Sequence, residues 1–272
     1  MPRRKQPSQR AQPNFRQINR LLPFTNAPLF HALQLLATGD SARFHMPGHK
    51  GEPLFNTYAE IFAIDFTETY GTGNLYLGDG PIRDAEVAAA LYFGASDCFF
   101  LTGGSTQGIM SMLAAAVGKG GSVLLDRECH KSVCHACALL DITPYFVSAP
   151  LIEPFAVSGE LTKETVERAF IDHPDVQAVL VTSPTYYGVR RALPELADLC
   201  RAYGKSLLVD AAHGAHFPTV GLPAPIAEGA DMAVLSMHKT LPCLGQGAVV
   251  LCGAGVDKRA LRENTALFGT SS

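Results

Sequence analysis

The chain has 272 residues, of which 47% are apolar, so it is long enough and apolar enough to bury a core, which excludes disorder throughout. Its net charge is only −3, but six basic residues lie within the first twenty positions and no acidic residue precedes Asp40. Beyond those six, 16 basic and 25 acidic residues remain, and so acidic a body argues against nucleic acid as a partner.

Residues 1–28 are predicted to form a disordered basic tail. The tail lacks the apolar core of a secretory signal, and no segment of the chain approaches the ~20 apolar residues that cross a bilayer. An arginine-rich start without acids is also typical of an organelle transit peptide, but Pro2, Pro7 and Pro13 interrupt any amphipathic helix there. We therefore expect a soluble, cytoplasmic protein without a membrane partner.

Residues 29–82, rich in glycine, histidine and aromatic residues, are predicted to form an irregular N-terminal segment, and residues 83–272 one large domain. Apolar residues have helical spacing over 84–93, with Val87, Ala88 and Leu91 on one side, and over 109–117 and 194–203. Short, nearly continuous apolar runs of strand length occur at 98–101, 122–125, 176–181, 206–209, 232–235 and 248–251. Strands that alternate with helices predict an α/β fold with three layers, αβα, and a mostly parallel sheet.

Ligands of such sheets bind at the carboxyl ends of the strands. Polar clusters follow three of the predicted strands directly, at 182–185, 210–213 and 236–239. Residues 101–108 (LTGGSTQG) follow another and open a helix. The glycines of this segment let backbone amides approach an anion, and the N-terminus of the helix favours negative charge. We therefore predict that residues 101–108 form a phosphate site. A Gly-Ser turn that only caps the helix is the alternative.

The seven cysteines are an odd number and lie in or beside apolar runs, which is typical of reduced thiols. Cys134 and Cys137 form a CxxC motif, and Cys129, His130 and His135 lie nearby in the sequence, so a metal site is one alternative. No second ligand pair follows at metal spacing, and Cys134 and Cys137 share one face of a predicted helix. We therefore predict ordinary core cysteines and no metal.

Lys239 comes directly after a predicted buried strand, where partial desolvation favours the free, nucleophilic amine. Taken alone, Lys239 is better explained as a lysine in a surface loop. Asp210, however, ends another apolar strand, and a carboxylate buried there needs a partner such as a protonated ring nitrogen. A reactive lysine, an acid for a pyridinium nitrogen and a phosphate loop together are typical of a pyridoxal phosphate site, with Lys239 forming the internal Schiff base.

Seven motifs resemble, in order and spacing, the successive signatures of the Orn/Lys/Arg decarboxylase class-I family. They are residues 44–51 (FHMPGHKG), 80–82 (GPI), 104–109 (GSTQGI), 130–132 (HKS), 184–188 (PTYYG), 210–217 (DAAHGAHF) and 236–241 (SMHKTL). The resemblance extends from about residue 28 to the end of the chain. It implies the large domain of a fold-type-I pyridoxal phosphate enzyme that decarboxylates lysine, arginine or ornithine in polyamine metabolism, and that assembles as a homodimer.

The resemblance also implies roles for individual residues. Lys239 would bind the cofactor covalently, Asp210 would pair with the pyridine nitrogen, and His130 would stack on the ring. His213 would flank the cofactor near Asp210. The phosphate would be held by the glycine-containing loop and by residues near Lys239, namely Gly104, Ser105, Thr106, Ser236 and His238. For His45, His49, His135 and His216 we expect packing or supporting roles.

Two features depart from the family pattern. Residues 72–76 (TGNLY) replace a stretch like Asp-Asp-Leu-His, and the chain ends at Ser272, where relatives continue into a small C-terminal domain. From that end we expect a chain that binds cofactor but decarboxylates poorly by itself. Two rival hypotheses stay open: an aminotransferase or aldolase on the same fold, and a truncated remnant that binds cofactor without turnover.

Overall fold

The computed structural model describes residues 27–53 and 56–270 of the chain. The chain divides into two compact units, one comprising Met1–Ala85 together with Ser272 and the other Glu86–Ser271. The predicted basic tail lies, except for Ala27 and Pro28, outside the described residues. No helix in the described ranges is long and apolar enough to cross a membrane.

The first unit contains helix α1 (Pro28–Thr38), a 3-10 turn (Asn56–Tyr58), helix α2 (Ala59–Ala63) and the start of α3 (Gly80–Tyr92). Apart from its first residue, helix α1 lies in the segment that was predicted to be irregular. It begins with Pro28, and proline is suited to the first helical turn. The histidines of the 44–51 motif pack against aromatic rings. His45 stacks on Phe66 and His49 on Phe62, with ring centroids 5.4 and 4.5 Å apart.

The second unit is built on a seven-stranded sheet with the strand order β1-β9-β8-β7-β6-β2-β3. The strands are β1 (Asp97–Leu101), β2 (Ser122–Asp126), β3 (Thr143–Val147), β6 (Ala178–Thr182), β7 (Ser206–Asp210), β8 (Met232–Ser236) and β9 (Ala248–Cys252). Only β9 runs opposite to its neighbours among these strands, so the sheet is mostly parallel, as predicted. A two-stranded hairpin, β4 (Leu151–Ile152) and β5 (Val157–Ser158), lies outside this sheet.

Helices cover both faces of the sheet and confirm the three-layer αβα prediction. They are α3, α4 (Gly104–Ala116), α5 (Lys131–Leu140), α6 (Lys163–Asp172), α7 (Leu193–Ala202), the short α8 (Met237–Thr240) and α9 (Lys258–Leu267). Residues of α3, α6 and α7 pack in one core cluster, and residues of α4, α5 and α9 in a second. The strands contribute alternate side chains to the two clusters, as Val179 and Leu180 of β6 do, which is why their sequences are apolar throughout.

The structure corrects the predicted orientation of α3. Val87 and Leu91 are 42% and 76% exposed, whereas Ala90 and Phe93 are buried. Glu86 also lies on the buried face, where its carboxylate accepts a hydrogen bond from the Phe100 amide at 3.2 Å and pairs with an arginine of α9 at 2.8 Å. A carboxylate that is paired in this way can be buried, so the apolar pattern alone indicated the wrong face.

Candidate active site

A cavity of about 480 Å³ lies in the second unit at the carboxyl edge of the sheet. It is lined by residues that end or follow β2, β6, β7 and β8, whose carboxyl ends meet because these strands are parallel, and by the first turn of α4. All nine predicted site residues line it: Gly104, Ser105, Thr106, His130, Asp210, His213, Ser236, His238 and Lys239. The structure therefore brings these residues together, while their roles stay predictions.

The first turn of α4 forms one wall of the cavity. Its N-cap residue, Gly103, provides no side-chain cap, and Gly104 has a φ of +68°, which glycine adopts without strain. The helix approaches the sheet closely because Gly108 has no side chain: a Cβ there would lie 2.5 Å from Val234 Cγ2 of β8. Ser105 at the start of the helix is consequently in contact with the end of β8. An uncapped helix N-terminus in a cavity is suited to an anion.

Lys239 lies on α8, directly after β8, and its Nζ is 3.1 Å from His213 Nε2. The expected partial desolvation of this lysine was wrong for the chain as described, because Lys239 is exposed. Helix α8 has only four residues, and residues 242–246 beyond it are exposed as well, so little of the chain covers the lysine. Its amine is therefore accessible from the cavity.

Asp210 ends β7 and is 3% exposed. Burial raises the pKa of its carboxyl above the ordinary value, while the hydrogen bond from the Ala212 amide and the charges of Lys239, His130 and His213 oppose that rise. Oδ1 accepts the Ala212 amide at 3.1 Å, and no donor to Oδ2 is found within the described ranges. A buried carboxylate with a free oxygen is suited to a cationic N–H donor.

His130 caps the N-terminus of α5. Its Nδ1 accepts a hydrogen bond from the Ser132 amide at 3.2 Å and lies 2.8 Å from Ser132 Oγ. Because Nδ1 accepts the amide proton, the ring proton of the neutral imidazole must be on Nε2. The cap thus sets the ring's tautomer and holds it beside the cavity.

His238 is held by the backbone at the start of β9. Its ring Nδ1 is 2.9 Å from the Gly247 carbonyl oxygen, and its own amide donates to the same oxygen at 3.2 Å. A carbonyl oxygen only accepts, so Nδ1 carries a proton, and in the neutral ring Nε2 is left as an acceptor. His238 therefore lines the cavity in a defined orientation.

Two cavity residues lie outside every motif and polar cluster that the sequence analysis singled out. Glu128 follows the end of β2, and its backbone is held by Asp126 Oδ1 and Thr182 Oγ1. The rule that sites gather at strand ends could have indicated it, since it lies two residues beyond β2. Gln246 belongs to the loop before β9 and has a φ of +67°, for which the sequence carries no signal.

A buried ion pair of two residues that do not line the cavity was also missed. Arg191 Nε and Nη2 lie 3.0 and 2.7 Å from Asp126 Oδ2, and both side chains are 0% exposed. Arg191 also donates from Nη1 to the Gly159 carbonyl and from its amide to Ser183 Oγ. One arginine thereby links the end of β2, the chain after β6 and the segment after β5.

The cysteine prediction holds in part. Cys137 is buried in α5, but Cys134, three residues earlier, is exposed, so it is not a core cysteine. Cys129 is half-buried, and burial together with neighbouring thiols raises its pKa to about 12. The described residues contain no disulfide and no group of three or more histidine, cysteine or acidic side chains placed to hold a metal ion. His135 is exposed, and His216 packs edge-on against Phe217.

The arrangement fits pyridoxal phosphate. The uncapped turn of α4 with the hydroxyls of Ser105 and Ser236 is suited to a phosphate, and the free oxygen of Asp210 to a protonated ring nitrogen. The exposed amine of Lys239 is available to an aldehyde in the same cavity. These three groups are the donor set that this cofactor requires.

Comparison with known proteins gives the same family as the sequence motifs. Residues 27–272 match the model of the Orn/Lys/Arg decarboxylase major domain. The Bacillus subtilis protein YaaO is 36% identical over 231 residues, covering 82% of this chain and 48% of its own length. An arginine decarboxylase of Halalkalibacterium halodurans is 34% identical, with 82% of this chain and 47% of its own length covered.

The fold is also found among solved structures. The lysine decarboxylase LdcF of Francisella novicida superposes with a TM-score of 0.77 over 90% of this chain and 38% of its own, at 21% identity. The chain spans about half the length of the curated relatives it matches. From the match over residues 27–272, the chain belongs to the Orn/Lys/Arg decarboxylase family and contains its major domain.

Proposed function

We propose that this chain binds pyridoxal phosphate and takes part in the decarboxylation of a basic amino acid to the corresponding amine. One observation carries the proposal: Lys239, Asp210 and the uncapped turn of α4 line a single cavity of a chain that belongs to this family. An aminotransferase or aldolase would use the same groups, but the family match favours decarboxylation.

The phosphate would be held by the α4 turn. The backbone amides from Gly104 to Thr106, the hydroxyls of Ser105, Thr106 and Ser236, and the ring of His238 line that side of the cavity. The helix N-terminus contributes a partial positive charge, so this wall favours a dianion over a neutral group. The same wall would fix the position of the whole cofactor.

Bound pyridoxal phosphate supplies a conjugated ring that accepts the electrons left behind when a carboxylate leaves as CO₂. Asp210 would keep the ring nitrogen protonated. The ion pair between this carboxylate and the protonated nitrogen would offset the desolvation that otherwise raises the pKa of the carboxyl. His130, oriented by Ser132, would cover the ring. Lys239 would anchor the cofactor through its amine and release it to the substrate.

The substrate class is supported by relatives that are named arginine decarboxylase and lysine decarboxylase. Glu128 is a carboxylate at the cavity for which no ion pair occurs among residues 27–53 and 56–270, and it is available to a cationic substrate group. We also propose a homodimer, as the sequence resemblance implies. Tyr186 at the cavity is 81% exposed, and Leu244, two residues before the cavity residue Gln246, is 77% exposed, which supports a partner surface there.

The test is release of CO₂ from lysine, arginine and ornithine by the purified chain supplied with pyridoxal phosphate. We expect slow release from one of the three and a borohydride-sensitive absorbance band, with the Lys239→Ala variant as the negative control. Formation of a keto acid instead of an amine would indicate an aminotransferase. A band without CO₂ release from any of the three would overturn the decarboxylation proposal for this chain.

A further inference from the structure

Lys239 has one hydrogen-bonding partner in the described part of the chain, and that partner is a histidine. Lys239 Nζ lies 3.1 Å from His213 Nε2, although 26 residues separate them in the sequence. A lysine ammonium group only donates, so Nε2 accepts this hydrogen bond and the ring proton of the neutral imidazole is on Nδ1. His213 therefore presents a lone pair to the nitrogen that is expected to react.

The surroundings keep His213 in its neutral form. The residue belongs to the turn after β7, and Tyr186, from the loop after β6, lies edge-on to its ring at a centroid distance of 5.7 Å. The charged and titratable groups that face it are Lys239, Asp210 and His130. Burial first, and then the charges of Lys239 and His130, lower the pKa of His213 below 6.5, against the opposing effect of Asp210. Near neutral pH the imidazole is consequently a base whose Nε2 lone pair faces Lys239 Nζ.

We propose that His213 is the proton acceptor and donor of Lys239, removing a proton from Nζ when this amine attacks an aldehyde and returning it when water leaves. The inference rests on the proposed function, in which Lys239 bonds to the aldehyde of pyridoxal phosphate. It adds a catalytic role to a residue for which the sequence implied only a place beside the cofactor.

All protons of this step are exchanged among Lys239, His213 and the aldehyde. Nε2 of His213 takes one proton from the Lys239 ammonium, and the freed electron pair of Nζ forms a bond to the aldehyde carbon, whose oxygen becomes a hydroxyl with a second proton from Nζ. The imidazolium then donates its proton to that hydroxyl, the C–O bond breaks, and water leaves. Nitrogen and carbon are left joined by a protonated double bond, and His213 is neutral again.

Proximity makes this role chemically reasonable. A base must lie within about 2.6–3.2 Å of the atom whose proton it takes, and the observed distance satisfies that condition. Two positive charges at this separation repel each other. The state in which only one of Lys239 and His213 is positively charged is therefore favoured over the state in which both are. Once Lys239 gives up its proton, the repulsion that disfavours the imidazolium disappears, and Asp210 stabilises it.

The experiment measures how fast Lys239 reacts with a simple aldehyde. Wild type, His213→Ala and the control His135→Ala, an exposed histidine outside the cavity, are treated with propanal and cyanoborohydride, and alkylation at Lys239 is followed by peptide mass spectrometry. Alkylation of the exposed Lys119 in the same samples corrects for reagent effects. In parallel, each protein is mixed with pyridoxal phosphate and the growth of the borohydride-sensitive band is recorded.

We expect the rate at Lys239 to fall roughly tenfold or more in His213→Ala, to recover when imidazole is added, and to be unchanged in His135→Ala. In wild type the rate should be nearly independent of pH above the titration of His213. In His213→Ala it should climb about tenfold per pH unit, because only the free amine then reacts.

A wild-type rate and pH profile in His213→Ala would overturn the proposal. A slow variant that imidazole does not restore would also overturn it, since His213 would then only hold Nζ in position. Because propanal requires no phosphate site, the alkylation assay decides the role of His213 even if pyridoxal phosphate does not bind. Absence of the band in wild type would contradict the proposed function instead.

Discussion

Ser105 Oγ and Ser236 Oγ lie 2.5 Å apart and join the first turn of α4 to the end of β8. One hydroxyl donates to the other, which leaves the proton of the accepting hydroxyl free for a third group. Both residues line the cavity beside the uncapped helix N-terminus. The pair is therefore placed to donate to a phosphate and, at the same time, to hold the helix against the sheet.

This pair leads to a prediction about cofactor affinity. Ser236→Ala should raise the Kd for pyridoxal phosphate by roughly ten- to a hundredfold, because a hydrogen bond to a charged group contributes about 1.5–3 kcal/mol. Affinity for pyridoxal, which lacks the phosphate, should change little. Equilibrium titration followed by absorbance measures both. Ser111→Ala, which removes a buried hydroxyl of α4 outside the cavity, is the control. An equal loss for both ligands would place the phosphate elsewhere.

Lys239→Ala should abolish the borohydride-sensitive band, since within residues 27–53 and 56–270 no other lysine lines the cavity. Lys119→Ala, which removes an exposed lysine after α4, should keep the band at full intensity. The measurement is the absorbance spectrum before and after borohydride, with the labelled peptide identified by mass spectrometry. A band that persists in Lys239→Ala would show that another lysine reacts.

Asp210→Asn should retain the cofactor but lower turnover by orders of magnitude, because an amide does not keep the ring nitrogen protonated as a carboxylate does. CO₂ release at saturating pyridoxal phosphate measures this effect. Activity equal to wild type would rule out the role of Asp210 as the partner of the ring nitrogen.

Asp210→Asn should also change the thermal stability of the cofactor-free chain, and in that case the effect is favourable. Burial raises the folded-state pKa of Asp210, so its contribution to stability is fully present below the ordinary aspartate value and is lost as pH rises from there through the folded-state pKa. Asp210→Asn should therefore raise the Tm of the cofactor-free chain at neutral pH, and the gain should vanish below about pH 4. Thermal unfolding at several pH values measures it. A gain that is constant with pH would contradict the assignment.

The buried pair of Arg191 and Asp126 should be important for stability. Arg191→Met leaves a buried carboxylate without its cation and should lower the free energy of unfolding by about 3–5 kcal/mol. Arg168→Met, which breaks the exposed pair with Asp172, should change it by less than about 1 kcal/mol. Denaturant unfolding measures both. The double variant Asp126→Leu with Arg191→Met should regain part of the loss, and its failure to do so would shift the explanation to packing.

Gly108→Ala should destabilise the chain by about 1–3 kcal/mol, because the new Cβ would lie 2.5 Å from Val234 Cγ2 and 2.8 Å from Leu101 Cδ1 in the core. Alanine's higher helix propensity opposes this by about 1 kcal/mol. Val234→Ala added to Gly108→Ala should relieve the clash. Gly255→Ala, where no atom lies within 4 Å, is the control. Stability equal to wild type in Gly108→Ala would show that α4 shifts freely against β8.

Local sequence patterns predicted most of the sheet. Apolar runs at β2, β6, β7, β8 and β9 matched the observed strands to within two residues at each end, because strands buried on both faces are apolar throughout. The polar residues that end those runs indicated the edge at which the cavity lies. Local patterns misjudged α3, however, because its buried face includes Glu86, whose partner belongs to α9.

The sequence by itself determined the alternation of helices and strands, the glycine-containing turn before α4 and the polar residues at the strand ends, since each depends on neighbours within a few positions. Only the tertiary structure decided that Lys239 Nζ lies 3.1 Å from His213 and that Arg191 reaches Asp126 across 65 residues. Periodicity encodes which residues face a core, but it does not encode which strands become neighbours. Strand order depends on how the helices pack on both faces of the sheet. That order brings the side chains of the two pairs, Lys239 with His213 and Arg191 with Asp126, within bonding distance.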